Sequence, residues 1–288
     1  MKRARVERVQ KGMWWDEAWS LVSGCTAVSS GCRQCWAAEF AHRQALQDNE
    51  KIRARYGGTT RIGAHGSEFN GVVRFMHGDL LKPFGMVSGR VFSVWTDLWH
   101  PLVSDWQIAL TFAVMMATPK HDYVICTKRP ERMAEWFKKH TPADCFNQAR
   151  SDLGFPFLKR LDRFTADDMP AAWPLPNVIG MVTVEDQAQV QRVPHLLAAP
   201  FAVRAVACEP LLGSVDLTQH AMSIDWVTLG CENSRGANCR AAHPAWFDFM
   251  IDQCIAAGTP LFLKQMKDRV KLMKLPIVRG RRWDEFPE

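Results

Sequence analysis

The sequence predicts an α/β protein built on a complete or partial (β/α) barrel of parallel strands. Short, continuous apolar runs recur along the chain, and each ends in polar or charged residues followed by a helix-like stretch. Continuous apolar runs suit strands buried on both faces of a parallel sheet, and their alternation with helices implies βαβ units. Length agrees: 288 residues, 47% of them hydrophobic, fit a single α/β barrel with a large core. An open, doubly wound sheet is the alternative arrangement.

Taken in order, Trp19–Ser23 leads into a cysteine-rich loop, Val91–Trp95 into Asp97, and Tyr123–Thr127 into Lys128 and Arg129. Ile179–Val184 leads into Glu185, Val203–Cys208 into Glu209, Trp226–Gly230 into Cys231, Glu232 and Asn233, and Leu261–Leu263 into Lys264. Val72–Met76 is a candidate eighth strand. Helices are expected over Glu131–His140, after a proline, and over Pro244–Ala257, closed by Gly258. In either architecture ligands bind beyond the carboxyl ends of the strands, so those charged residues are candidate site residues. One connection, about 141–176, is long and rich in Pro and Phe, and it reads either as a lid or substrate-binding insertion or as a surface decoration without a role. The whole of 1–288 is expected to be one domain, with a basic segment at 1–15 and a basic tail at about 264–288.

Charge bounds the partners only loosely. A net charge of +6 permits an anionic partner without demanding one. The first residues have no apolar signal-peptide core, and the longest apolar run, Trp106 to Thr118, is too short to span a bilayer. Nine cysteines without a secretion signal point to a reducing, cytoplasmic setting, where metal or catalytic roles outrank disulfides.

Three of those cysteines, Cys25, Cys32 and Cys35, fall in the run S-G-C-T-A-V-S-S-G-C-R-Q-C-W-A. Three thiolates are one too few to close a four-ligand site, and a 4Fe–4S cluster held by three keeps one iron open for a small molecule. Structural zinc is the competing reading, with His42 as fourth ligand. If the helix starts at Trp36, however, His42 lies roughly 10 Å along the axis from Cys35, whereas ligands of one zinc ion sit within about 4 Å of one another.

A cysteine-rich loop after the first barrel strand, followed by an aromatic residue and a helix, resembles the radical S-adenosylmethionine (SAM) enzymes. The usual spacing there is three residues then two; here it is six then two. The segments V-W-T-D-L-W-H-P, T-K-R-P-E-R-M, V-T-V-E-D-Q, C-E-P-L-L-G-S-V-D-L and D-W-V-T-L-G-C-E-N resemble, with the cysteine motif, a phage and prophage family of uncharacterised proteins. The resemblance implies a barrel of the radical-SAM type. It implies that Cys25, Cys32 and Cys35 ligate a 4Fe–4S cluster, that SAM chelates the open iron, and that a 5′-deoxyadenosyl radical abstracts hydrogen from substrate. Asp97, Lys128, Arg129, Glu185, Glu209, Glu232 and Asn233 are then expected around the cofactor. Among them Glu185 and Glu232 are candidates for the SAM ribose or amino group, and Arg129 for a carboxylate or phosphate. Cys126, Cys208 and Cys231, each near a strand end, are expected to face one cavity, where a thiol can donate hydrogen to a substrate radical or help ligate a second cluster. The alternative for each is a small buried core residue.

Basic residues crowd both ends: Lys2, Arg3, Arg5, Arg8 and Lys11, then Lys264, Lys267, Arg269, Lys271, Lys274, Arg279, Arg281 and Arg282. Such clusters suit phosphate contacts, and Trp14, Trp15 and Trp283 are placed to stack on bases; the alternative is a solvated basic helix and tail. With the phage resemblance, this makes DNA the expected partner. The most specific expectation is isomerisation of an amino-acid-modified thymidine in phage DNA, with a reductant such as flavodoxin and no membrane. A zinc-stabilised nucleic-acid-binding protein, or a radical enzyme acting on a peptide or small metabolite, are the alternatives.

Overall fold

The computed structural model describes residues 1–2, 4–152, 159, 170–233, 239–268 and 271–288. Strand β1 (Glu17–Trp19) opens the main sheet. Two small antiparallel pairs follow: β2 (Val22–Ser23) with β5 (Arg74–Phe75), and β3 (Thr60–Gly63) with β4 (Gly66–Phe69). The main sheet then continues through β6 (Val91–Val94), β7 (Asp122–Thr127), β8 (Val178–Thr183), β9 (Val203–Cys208), β10 (Trp226–Gly230), β11 (Leu261–Asp268) and β12 (Lys271–Lys274). Its order is β1-β6-β7-β8-β9-β10-β11-β12, parallel up to β11, with β12 returning antiparallel. A mostly parallel sheet of eight strands in chain order, curled into a half-barrel with helices, is therefore the architecture. A last small pair, β13 (Ile277–Val278) with β14 (Arg281–Arg282), ends the chain.

Three boundaries differ from the expected ones. Trp19–Ser23 is two strands, because the chain leaves the main sheet after Trp19 and pairs Val22 with Phe75. Val72–Met76 is consequently no barrel strand. The basic tail is not a helix: β11 extends to Asp268 and turns back as β12, which supplies the eighth strand.

Strand alternation sorts side chains to two faces. Phe92, Val94, Ile125, Val182, Val206, Leu229 and Leu263 face the helices. There they meet the Asp105–Met116 helix, started by a capping box between Ser104 and Gln107 and apolar on every side. The Pro130–Lys139 and Pro244–Ala257 helices complete that layer, the second ending at Gly258 in the left-handed conformation. The opposite, inner face carries Val91, Val124, Met181, Ala205, Ala207, Trp226 and Phe262. Ala4, Val9 and Trp14 of the amino-terminal segment, and Leu275 of the tail, fill it.

Of the connection at 141–176, residues 153–158 and 160–169 lie outside the described residues. Its described part packs on the helix layer. Trp173 sits against Phe112, Trp136 and Phe137, and its Nε1 donates to the His140 carbonyl at 2.7 Å.

Candidate functional site

The cysteine loop leaves β2 at Gly24, whose φ of +93° suits glycine and where a Cβ would lie 1.8 Å from the Val72 carbonyl oxygen. Cys25, Cys32 and Cys35 follow, each half-buried, and the Trp36–Ala45 helix begins directly after Cys35. The thiols are electrostatic neighbours, Cys25 with Cys35 and Cys35 with Cys32.

Two struts hold this loop over the carboxyl ends of the strands. At the first, Arg129 donates through Nη1 to the Cys25 Sγ at 3.5 Å and to Asp97 Oδ2 at 2.6 Å. Its Nη2 donates to both the carbonyl and the hydroxyl of Thr26, each at 2.8 Å. Asp97, also buried, accepts from Thr127 Oγ1 at 2.7 Å, and Thr26 Oγ1 lies 3.0 Å from His100 Nε2. At the second strut, Ser29 Oγ donates to Glu185 Oε1 at 2.6 Å. Glu185 is fully buried; Lys128 Nζ stands 3.4 Å from the same oxygen and Arg192 Nη1 donates to Oε2 at 2.7 Å. Gly31 closes against this carboxylate, since a Cβ there would meet Oε1 at 2.3 Å.

Titration follows from these surroundings. Burial, then the Asp97 charge, pushes the Cys25 thiol up to about 11 against the pull of Arg129. Burial raises Cys35 as well, against the pull of Lys128. Burial alone would raise Glu185, but Lys128, Arg192 and the Ser29 hydrogen bond hold it below the usual carboxylate value. Lys128 is raised: burial opposes its charge, and Glu185 with the neighbouring thiols outweighs burial.

The remaining strand-end residues sort clearly. Both oxygens of Glu232 are taken by Arg240, which also donates to the Ser30 carbonyl at 2.8 Å and so forms a third tie to the loop. Asn233 is exposed. Glu209 Oε2 accepts from Lys264 Nζ at 2.6 Å, while its Oε1 is buried without a partner. Glu185, Glu232 and Arg129 thus each pair with an oppositely charged side chain of the protein. Residues that sequence reasoning passed over, Thr26, Ser29, His100, Arg192 and Arg240, complete the struts. The Ser-rich loop and the arginine seven residues beyond Glu185 were the only signals for them.

Of the three strand-end thiols, Cys126 alone lies against the inner face, 3.4 Å from Thr183 Oγ1. Cys208 and Cys231 are buried in the helix-side core with Cys254. The expectation that all three face one cavity is corrected: Cys208 is one residue out of phase with inward-facing Ala207, and Cys231 belongs to the same helix-side core.

The basic termini are less free than their sequence suggests. Lys2 pairs with Asp122, Arg5 with Asp16, Arg279 with Asp248 and Asp252, and Arg281 with Glu285. Arg3 and Arg269 lie outside the described residues. Trp14 and Trp283 are buried, Trp14 edge-on to Trp226, so neither is available to stack on a base. Among the described residues no helix is long and apolar enough to cross a membrane.

Among the described residues, no three His, Cys, Asp or Glu side chains gather closely enough to hold a single metal ion. His42 is engaged with Thr60 Oγ1 at 3.2 Å. A cluster asks for less convergence, because each thiolate bonds a different iron. Three neighbouring thiols on one loop, with cationic Lys128 and Arg129 beside them, fit such a group.

The molecule is an α/β half-barrel with a thiol-bearing loop strapped over its carboxyl edge. It belongs to the family described as protein of unknown function (DUF5131), whose model matches residues 10–287. No curated protein and no solved structure matches the chain.

Proposed function

We propose that the protein is a radical-SAM-type enzyme. Cys25, Cys32 and Cys35 would hold a 4Fe–4S cluster with one open iron for SAM. The observation that carries the reading is the placement of three neighbouring thiols at the carboxyl edge of a parallel half-barrel, each end of their loop tied to charged strand ends. Loaded there, the cluster with SAM supplies one-electron cleavage and a carbon radical able to abstract hydrogen.

The chain's own residues would do the rest. Arg129 donates a hydrogen bond to the Cys25 sulfur and to the Thr26 carbonyl, and so would brace the loop from the strand end. Lys128, half-buried and facing the cysteines, offsets thiolate charge. Cys126, on the inner face, would be the thiol that hands a hydrogen atom to a substrate radical, and the thiyl radical left behind would return to the thiol by taking one electron from the flavodoxin-type reductant and one proton.

The finer part of the proposal, a DNA substrate and within it an amino-acid-bearing thymidine of phage DNA, is supported by the sequence resemblance. It is supported also by Lys11, Lys271 and Arg282, which remain exposed. The test is anaerobic reconstitution with ferrous iron and sulfide, then reduction in the presence of SAM. The expected result is formation of 5′-deoxyadenosine; cluster-loaded, reduced protein that leaves SAM intact would overturn the reading.

A further inference from the structure

We propose that Glu209, Lys264 and Lys274 form a recognition site for a zwitterionic, α-amino-acid-like head group. Calling this group part of the substrate rests on the reading above. Glu209 follows inward-facing Ala205 and Ala207 on β9; Lys264 follows inward-facing Phe262 on β11. Between them β10 ends at Gly230, where an added Cβ would press on Gln265 and Glu209, at 3.3 and 3.5 Å. The site therefore spans three adjacent strands at the same edge as the cysteine loop.

Its polar groups are unequally satisfied. Lys264 Nζ donates to Glu209 Oε2 at 2.6 Å and stands 5.1 Å from the centre of the Trp15 ring. Glu209 Oε1 is buried with no partner, and so is the hydroxyl of fully buried Thr228, one inward position below Gly230. An unpaired buried acceptor is unfavourable, more so when charged, and a ligand's N–H would relieve it. Lys274 Nζ, on the exposed rim, is held by Gln265 Oε1, and the charges of Lys264 and Glu209 both act on it.

Two ammonium groups beside one carboxylate carry a net charge of +1. A lone anion would meet the unpaired Glu209 oxygen, and a lone cation would meet two lysines. A head group bearing an anion and an N–H donor satisfies all three, its carboxylate toward Lys264 and Lys274 and its ammonium toward Glu209 Oε1. Glu209, in phase with inward-facing Ala205 and Ala207, lies on the same inner face as Cys126, the thiol proposed to donate hydrogen.

The test is ligand-observed NMR on the full chain with L-alanine, acetate and methylammonium as probes, before any iron is added. L-Alanine should bind about tenfold more tightly than either half-ligand, and Glu209→Gln should weaken it about tenfold while sparing acetate. Lys274→Gln, at an exposed position, should weaken both L-alanine and acetate, with urea unfolding of the variant checking that it is folded. Equal affinity for acetate and L-alanine would overturn the zwitterion site, as would no binding by any probe. Displacement of L-alanine by SAM would assign the site to the cofactor and overturn its assignment to substrate. Cys32→Ala should leave L-alanine binding unchanged, so this result stands apart from the fate of the cluster reading.

Discussion

Ser29 Oγ donates to Glu185 Oε1 at 2.6 Å, joining residues 156 positions apart and fixing the cysteine loop to the end of β8. Glu185 is fully buried and also pairs with Lys128 and Arg192. Removing one member of a buried charged group leaves the others uncompensated, at a cost of about 3–5 kcal/mol. Glu185→Gln should therefore destabilise the protein by about 3 kcal/mol in urea unfolding. An effect below about 0.5 kcal/mol, the ordinary surface level, would contradict the strut.

The same carboxylate predicts an acid limb. Its pKa is lowered in the fold, so its contribution is fully present above the unfolded value of about 4.3 and is lost as pH falls through the lower folded value. Glu185→Gln should flatten the loss of stability below about pH 4.3, compared by unfolding at a series of pH values.

Gly31 tests the fit of loop to strut. An alanine Cβ would lie 2.3 Å from Glu185 Oε1, so Gly31→Ala should destabilise by about 1–3 kcal/mol. In a Glu185→Ala background the clash is gone, and the same substitution should cost under about 0.5 kcal/mol. Additive costs in the double variant would show that the glycine answers to something else.

On the alkaline side, burial pushes Cys145 and Cys254 up to about 12. Their folded values lie above the unfolded one of about 8.5, so their contribution is present below that pH and lost as pH rises toward 12. Cys145→Ala should lower stability at pH 7, by loss of packing, and reduce the slope of stability with pH above about 8.5. Stability measured at pH 7, 9 and 10 checks both parts.

Much of this was legible in the residues. Val203–Cys208, Trp226–Gly230 and Pro244–Ala257 have the boundaries the sequence predicts, because uninterrupted apolar runs and a Pro-to-Gly frame are strong local signals. The strand-end positions of Asp97, Lys128, Glu185 and Glu209 followed from the same rhythm. What stayed hidden depends on partners distant in sequence. Nothing near Arg240 announces that it reaches Ser30, and nothing near Arg279 announces that Asp248 and Asp252 take up its charge. Trp14 reads as an exposed aromatic in a basic segment until the inner face of the half-barrel is found to need filling. Phase also mattered: Cys126 and Cys208 both lie at strand ends, yet one looks inward and the other toward the helices.

Iron content after anaerobic reconstitution tests the central claim most directly. The full chain should take up iron and sulfide and show a visible absorption band. Cys25→Ala, Cys32→Ala and Cys35→Ala should each lose bound iron, while Cys208→Ala, in the helix-side core, should keep it. Full iron content in all three loop variants, or none in the unaltered chain, would contradict the account.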